Sequence, residues 1–362
     1  TFTVALGAPS AASITVAGSP QTGTITNDDS AVLAIAANVS QLEATTPQAF
    51  SLTLSNPVDV NITVEALTSD GSATNMDMDY SPFFQMYTFP AGSTTAQAAN
   101  VTVNNDSKVE DNETFTLALQ NLAASGRGVT LGASKTGTIQ NDDSATITLS
   151  GGTSQNEGNS GTSQIIFTAT VDNPVQGGFT AFVTTANGTA SGSSDFVEGD
   201  VNLVFDGSAG QSIGIIVTVN GDTDVEPDET FFFQFGSLVA PNTIQIVAPT
   251  TVQTNAIGTA GSPQTATILN DDIDWGDAPD TYSTLSASNG ARHGGSNLRL
   301  GTLNDGDADG QPNPTGTGDD TDPDGDDEDG VTLPAQFIAT TTANLTVNAS
   351  ATGKLDAWVD FN

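Results

Sequence analysis

The sequence predicts an all-β protein of tandem β-sandwiches, and three observations carry the prediction. Thr, Ser, Asn, Gly and Val fill the 362 residues while Lys, Arg and Met are scarce, a composition suited to half-buried pleated strands. Apolar residues alternate in short runs: Phe50, Leu52 and Leu54 before an Asn-Pro turn, Val60, Ile62 and Val64 after it. The same pattern returns with Phe167, Ala169 and Val171, then Phe179, Ala181 and Val183. Period-two runs between Gly, Asn, Asp and Pro clusters read as antiparallel strands with one buried face. Finally, the chain repeats itself: "GTITNDDSAVLAI" at 23–35, "GTIQNDDSATITL" at 137–149 and "ATILNDDIDWG" at 266–276. The period is that of a whole domain, and about seven strands per unit make a β-sandwich.

In order along the chain, residues 1–29 hold the last two strands of a unit, because Thr1-Phe2 aligns with Thr114-Phe115 and Thr230-Phe231. Two strands cannot bury a sandwich face alone, so the chain is expected to be a window on a longer protein. Residues 30–143 and 144–272 are complete units. In the second, "VEPDETFFF" at 225–233 predicts an acidic loop held in shape by Pro227, then a strand whose buried face is Phe231, Phe233 and Phe235. Residues 273–362 differ in character. They end in "KLDAWVDFN", an expected strand with buried Trp358 and Phe361.

Charge narrows the function. Six Lys and Arg stand against 43 Asp and Glu, for a formal net charge of -37; such a chain repels nucleic acid and anionic lipid and gathers cations. With no cysteine, a disulfide framework, a thiol nucleophile and a thiolate metal site are excluded. No run approaches the roughly 20 apolar residues of a membrane helix, so membrane insertion is not expected.

The acids fall at strand ends. The first unit places Glu43, Asp79, Asp106, Glu110, Glu113, Asp142 and Asp143 there, and the second Glu157, Asp195, Asp222, Glu226, Glu229, Asp271 and Asp272. With strands running up and down, several of these loops reach one end of the sandwich, where the carboxylates repel unless a cation sits among them. Calcium fits, taking roughly 6 to 8 oxygen ligands and needing neither His nor Cys.

The spacing Asp-x3-Glu-x2-Glu-Thr-Phe at Asp106–Phe115 and Asp222–Phe231, followed by "NDD", resembles the Calx-beta repeat, known from the regulatory region of the sodium-calcium exchanger and from large bacterial surface proteins. The resemblance covers residues 30–272 fully and 1–29 in part. It implies immunoglobulin-like sandwiches whose calcium sites lie at the rim facing the next domain, with the two acidic sets as ligands. The first unit departs from the second: Lys108 stands where Asp224 supplies a further carboxylate, and Asn112 where the second has Asp228. An ammonium competes with a cation, so weaker or fewer calcium ions are expected in the first unit.

"DWGDAPDTYSTLSASNGARHGGSNLRLG", the acid tract after it and the later "AWVDFN" resemble the GEVED domain of secreted bacterial proteins, with the family's later part missing. Asp305, Asp307, Asp309 and Gly310 match the first half of a calcium loop, but the twelfth position is Gly316 in place of the bidentate Glu. Asp319 and Asp320, or the run Asp322, Asp324, Asp326, Asp327, Glu328 and Asp329, are candidates for the missing oxygens. The single His293 is expected to be structural, near Asp277 or Asp280, and Arg292 and Arg299 to pair with Asp-rich turns. No nucleophile-elbow pattern appears, and no catalytic constellation is expected.

Three functions compete. The first is a segment of a bacterial extracellular adhesin or fibre, stiffened by calcium at each junction, its partners being neighbouring repeats or other copies of itself and a host, cell-surface or matrix ligand. The second is a filament subunit assembled by strand complementation between copies. The third is a calcium-sensing accessory region of a secreted enzyme.

Overall fold

The computed structural model describes residues 1–239, 245–246, 256–294, 298–302, 306–316, 318 and 330–355. The chain divides into two compact units, one of residues 1–106 and 111–142, the other of 107–110 and 143–362.

In the first unit, a four-stranded sheet runs in the order Gly128–Leu131, Ser30–Ile35, Gln48–Leu54, Gln97–Val101. A five-stranded sheet runs in the order Val39–Leu42, Lys135–Gln140, Glu113–Ala123, Ile62–Asp70, Phe84–Phe89. The expected alternation is observed: Phe50, Leu52, Leu54, Ile62 and Val64 are buried, though Val60 is only half-buried at the strand's approach. The core is closed by Tyr80, stacked on Phe115 at 4.6 Å. Its hydroxyl donates to Asp70 Oδ1 at 2.5 Å; burial, together with that acidic partner, pushes its pKa up to about 12.

Ahead of this sandwich, Phe2–Val4 pairs antiparallel with Gln21–Gly23, Phe2 opposite Gly23. The hairpins Glu113–Ala123 with Lys135–Gln140 and Glu229–Val239 with Gln264–Leu269 share that register, Phe115 opposite Gly137 and Phe231 opposite Ala266. The first strand pair thus shares the register of the strand pairs that precede the two later "NDD" motifs. Phe115 and Phe231 are fully buried, whereas Phe2 and Val4 remain 52% and 57% exposed.

The second unit's sandwich has two five-stranded sheets. One orders Ser212–Gly221, Gly161–Val171, Ser144–Gly151, Ala256–Ala260 and Gln245–Ile246; the other Ser154–Asn156, Gln264–Leu269, Glu229–Val239, Phe179–Asn187 and Asp200–Phe205. More strands form than the seven expected, because the chain changes sheet within one apolar run: Ser144–Gly151 joins the first sheet and Ser154–Asn156 the second. Phe231 and Phe233 are buried as predicted, but Phe235 is only partly so. A register shift against Ala181 and Val183 breaks the alternation there, and Leu238 becomes the next buried residue.

The C-terminal stretch has short elements. Ile273–Trp275 pairs with Arg292–Gly294, and Val331–Thr332 with Thr346–Val347. Among the described residues Arg292 forms no ion pair; it lies 4.9 Å above the Trp275 ring and donates to Asn289 Oδ1 at 3.1 Å. His293 stands opposite Asp274 in the strand pair. The expected ligands Asp305, Asp319 and Asp320, the run 322–329, and Trp358 and Phe361 lie outside the described residues.

Candidate metal centre

The second unit gathers eight carboxylates at one rim. Glu157 comes from the turn after Ser154–Asn156, and Asp195 from the connection between Phe179–Asn187 and Asp200–Phe205. Asp222, Asp224 and Glu226 lie between Ser212–Gly221 and Glu229–Val239; Glu229 begins the next strand, and Asp271 and Asp272 follow Gln264–Leu269. Strands of alternating direction put these loops at the same end, as their repetition at matched offsets predicts. Close approach is enforced at Gly221, where a Cβ would meet the Gly158 carbonyl at 1.9 Å; glycine alone lets the Asp222 loop come so near Glu157.

Asp195, Glu226 and Glu229 each place one oxygen within 4.8 Å of the others. Glu157 and Asp272 are 3% and 1% exposed, and Glu157 Oε1 and Asp272 Oδ2 are buried without a hydrogen-bond partner. Burial pushes Glu157 up to about 8, with Asp222, Glu226, Asp272 and Asp271 adding repulsion. It lifts Glu226 to about 7, assisted by Asp195 and Asp222. Glu229 rises to about 7 through burial and its hydrogen bond with Asp195. Burial and the charges of Asp271, Asp222 and Asp224 take Asp272 to about 6. No Lys, Arg or His occurs between Lys135 and Arg292, so the sandwich supplies no cationic side chain to offset these charges. All-oxygen donors and orphaned buried carboxylate oxygens suit a hard divalent cation such as calcium.

Other carboxylates in the neighbourhood are loop latches. Asp271 Oδ1 accepts the Gly158 amide at 2.8 Å and its Oδ2 the Asn156 side chain at 3.3 Å. Asn159 donates to Asp272 Oδ1. Asp228 Oδ1 accepts the Asn270 amide at 3.2 Å, and Asn112 Oδ1 accepts the Asn141 amide at 3.1 Å. The exchange of Asp228 for Asn112 therefore preserves a structural bond. These Asn latches sit beside the repeated "NDD", and a matched offset alone does not separate latch from ligand.

In the first unit, Glu43 with Asp106, and Asp79 with Glu113, bring carboxylate oxygens within 4.8 Å. Asp79 Oδ2 also takes the Thr74 amide at 2.6 Å, and Asp142 Oδ1 is buried without a hydrogen-bond partner. Glu110 and Asp143 are placed with the second unit; there Lys108 contacts Glu110 at 2.7 Å.

In the C-terminal segment the half calcium loop is divided among other tasks. Asp309 Oδ1 accepts the amides of Ser286 at 2.5 Å and Gly310 at 2.9 Å, and the Ser286 bond holds its pKa below the usual range. Asp307 Oδ1 accepts from Gln311 at 2.9 Å, while the Asp307 amide donates to the Ile273 carbonyl at 2.7 Å. A Cβ at Gly306 would lie 2.5 Å from the Thr223 carbonyl and 3.0 Å from Asp272 Cβ. The loop thus lies on the acidic rim and anchors there through backbone bonds.

A family model for the Calx-beta domain matches residues 26–143 and 140–260. Among solved structures, CBD12 from CALX1.2 is 18% identical and overlaps 66% of this chain and 99% of its own, with a TM-score of 0.30. The calcium binding domain CBD12 of CALX1.1 gives the same identity, coverage and score. The apo-form Calx CBD1 domain is 22% identical over 32% of this chain and 100% of its own, with a TM-score of 0.29. No curated protein matches the chain.

Proposed function

The chain belongs to the Calx-beta family, and from that premise we propose that it is a calcium-binding structural segment of a long extracellular bacterial surface protein. The observation that carries the calcium reading is the pair of buried, unpartnered oxygens, Glu157 Oε1 and Asp272 Oδ2, in a carboxylate cluster drawn from a repeat, residues 144–272, that contains no Lys, Arg or His. Bound calcium supplies the positive charge that lets the acids ionise together.

The residues divide the work. Asp195, Glu226 and Glu229 present converging oxygens; Asp222, Asp224, Glu157 and Asp272 enlarge the negative field around them. Asp271 and Asp228 hold the loops by accepting backbone amides. Ordering these loops at successive domain ends stiffens a string of sandwiches into a rod, the mechanical role of an adhesin or fibre. In this reading the chain is not an enzyme, its partners are neighbouring repeats and an external ligand, and the C-terminal segment is a GEVED-like module. No helix among the described residues is long and apolar enough to cross a membrane.

The test is thermal unfolding of the full chain with calcium or with chelator. Calcium at 100 times its dissociation constant stabilises by about 2.7 kcal/mol per site. An unchanged transition in calcium, with no ions bound by calorimetry, rejects the proposal.

A further inference from the structure

In the second unit, the turn Asn173-Pro174-Val175-Gln176 holds the extended segment Ser107–Glu110. The Val109 amide donates to the Pro174 carbonyl at 2.9 Å and the Gln176 amide to the Val109 carbonyl at 2.8 Å. Val109 and Val175 are 0% and 2% exposed within one apolar core.

The first unit repeats the receiving turn as Asn56-Pro57-Val58-Asp59. Its anchoring is the same: Asn56 Nδ2 donates to the Ser30 carbonyl at 2.8 Å, as Asn173 Nδ2 does to Ser144 at 2.8 Å. Here, however, Val58 is only half-buried and borders a cavity of about 630 Å³, lined also by Asp28, Asp29 and Gly128. Arg127 and Asp59 pair at its edge through two bonds of 2.6 and 2.9 Å.

We propose that this cavity is a docking site for the extended Val-Glu loop of another Calx-beta repeat joined ahead of the first hairpin. The loop's Val covers Val58 as Val109 covers Val175. Its backbone bonds to Pro57 and Asp59, and its Glu falls beside Asp28 and Asp29, the equivalents of Asp271 and Asp272 in the repeated "NDD". The argument rests on the occupied equivalent in the second unit and is independent of the calcium assignment there.

Since Thr1-Phe2 aligns with Thr114-Phe115, residues 30–113 fused ahead of Thr1 in the full chain complete such a repeat and bring its Lys-Val-Glu loop. Hydrogen exchange in calcium buffer is then followed at Val58 and Asp59, with Thr3 reporting that the added repeat has folded. Expected is a slowing of roughly tenfold or more at Asp59, reversed when the grafted Val109 is changed by Val109→Gly in the added copy. A second fusion carrying residues 144–229, with the Val225-Glu226 loop, guards against a graft that fails to fold. Unchanged exchange at Val58 and Asp59 in both fusions overturns the proposal.

Discussion

Glu157 and Asp272 are the two most deeply buried acids of the second unit's rim, 3% and 1% exposed, and the charge of Asp272 is one of those that raise Glu157 to about 8. Each keeps an oxygen without a hydrogen-bond partner. Without a cation this arrangement opposes folding; with one it becomes the binding site. Glu157→Gln should therefore have opposite effects in the two conditions. In chelator the variant should melt higher by roughly 3 °C, the shift that about 1 kcal/mol produces in a domain of this size. In saturating calcium it should melt lower than the parent. Calorimetric scans of both proteins in both buffers decide; the same sign in each buffer contradicts a shared role for these two acids.

The pH dependence follows from the same groups. Glu157 titrates near about 8, Glu226 and Glu229 near about 7 and Asp272 near about 6 in the fold, against roughly 4 in an unfolded chain. Between those limits the folded state binds more protons than the unfolded one, so stability falls as pH rises and levels off above about 8. In calcium-free buffer the second unit should thus melt progressively lower from pH 5 towards pH 8.5. Saturating calcium should flatten that slope. A melting temperature that climbs with pH in the absence of calcium contradicts the buried-acid description.

Much of this arrangement was legible in the sequence because its causes are local. Alternation at Phe167, Ala169 and Val171 follows from the two-residue period of a strand, and all three are buried. The acids of the second unit repeat at strand ends, and strand direction brings them to one rim. What was not legible depends on contacts distant in sequence. The register shift opposite Ala181 and Val183 decides that Phe235 yields its buried place to Leu238. Whether an acid is ligand or latch depends on which amide reaches it: Asp228 takes Asn270 and Asp309 takes Ser286, pairings with no periodic signature. Arg292 meets the Trp275 ring because its strand lies beside Ile273–Trp275.

Lys108 should limit calcium binding in the first repeat. Its ammonium lies 2.7 Å from Glu110, at the position where the second repeat has Asp224. Lys108→Ala frees that carboxylate, and Lys108→Asp adds another. The expected result for the Asp variant is about one more calcium bound per chain, or about a tenfold gain in the weakest affinity, equivalent to about 1.4 kcal/mol. Isothermal titration of the parent and both variants measures it. An unchanged binding isotherm for Lys108→Asp means that the ammonium does not compete for the site.

The seam between acids and core offers the last test. Phe231 is fully buried two residues after Glu229, and it stacks at 4.5 Å on Phe196, the neighbour of Asp195. Its packing therefore fixes the backbone from which two of the three converging carboxylates project. Phe179 and Phe205 form a comparable stack at 4.6 Å, but Phe179 opens the strand that ends at Asn187, about 26 Å from the rim at roughly 3.3 Å per residue. Phe231→Ala and Phe179→Ala should each cost about 3–5 kcal/mol of stability. Only Phe231→Ala should also weaken calcium binding, by roughly tenfold or more, when titrated at a temperature where both variants remain folded. Equal calcium affinity in the two variants would show that the carboxylate geometry is set by the loops alone, without the aromatic stack beneath them.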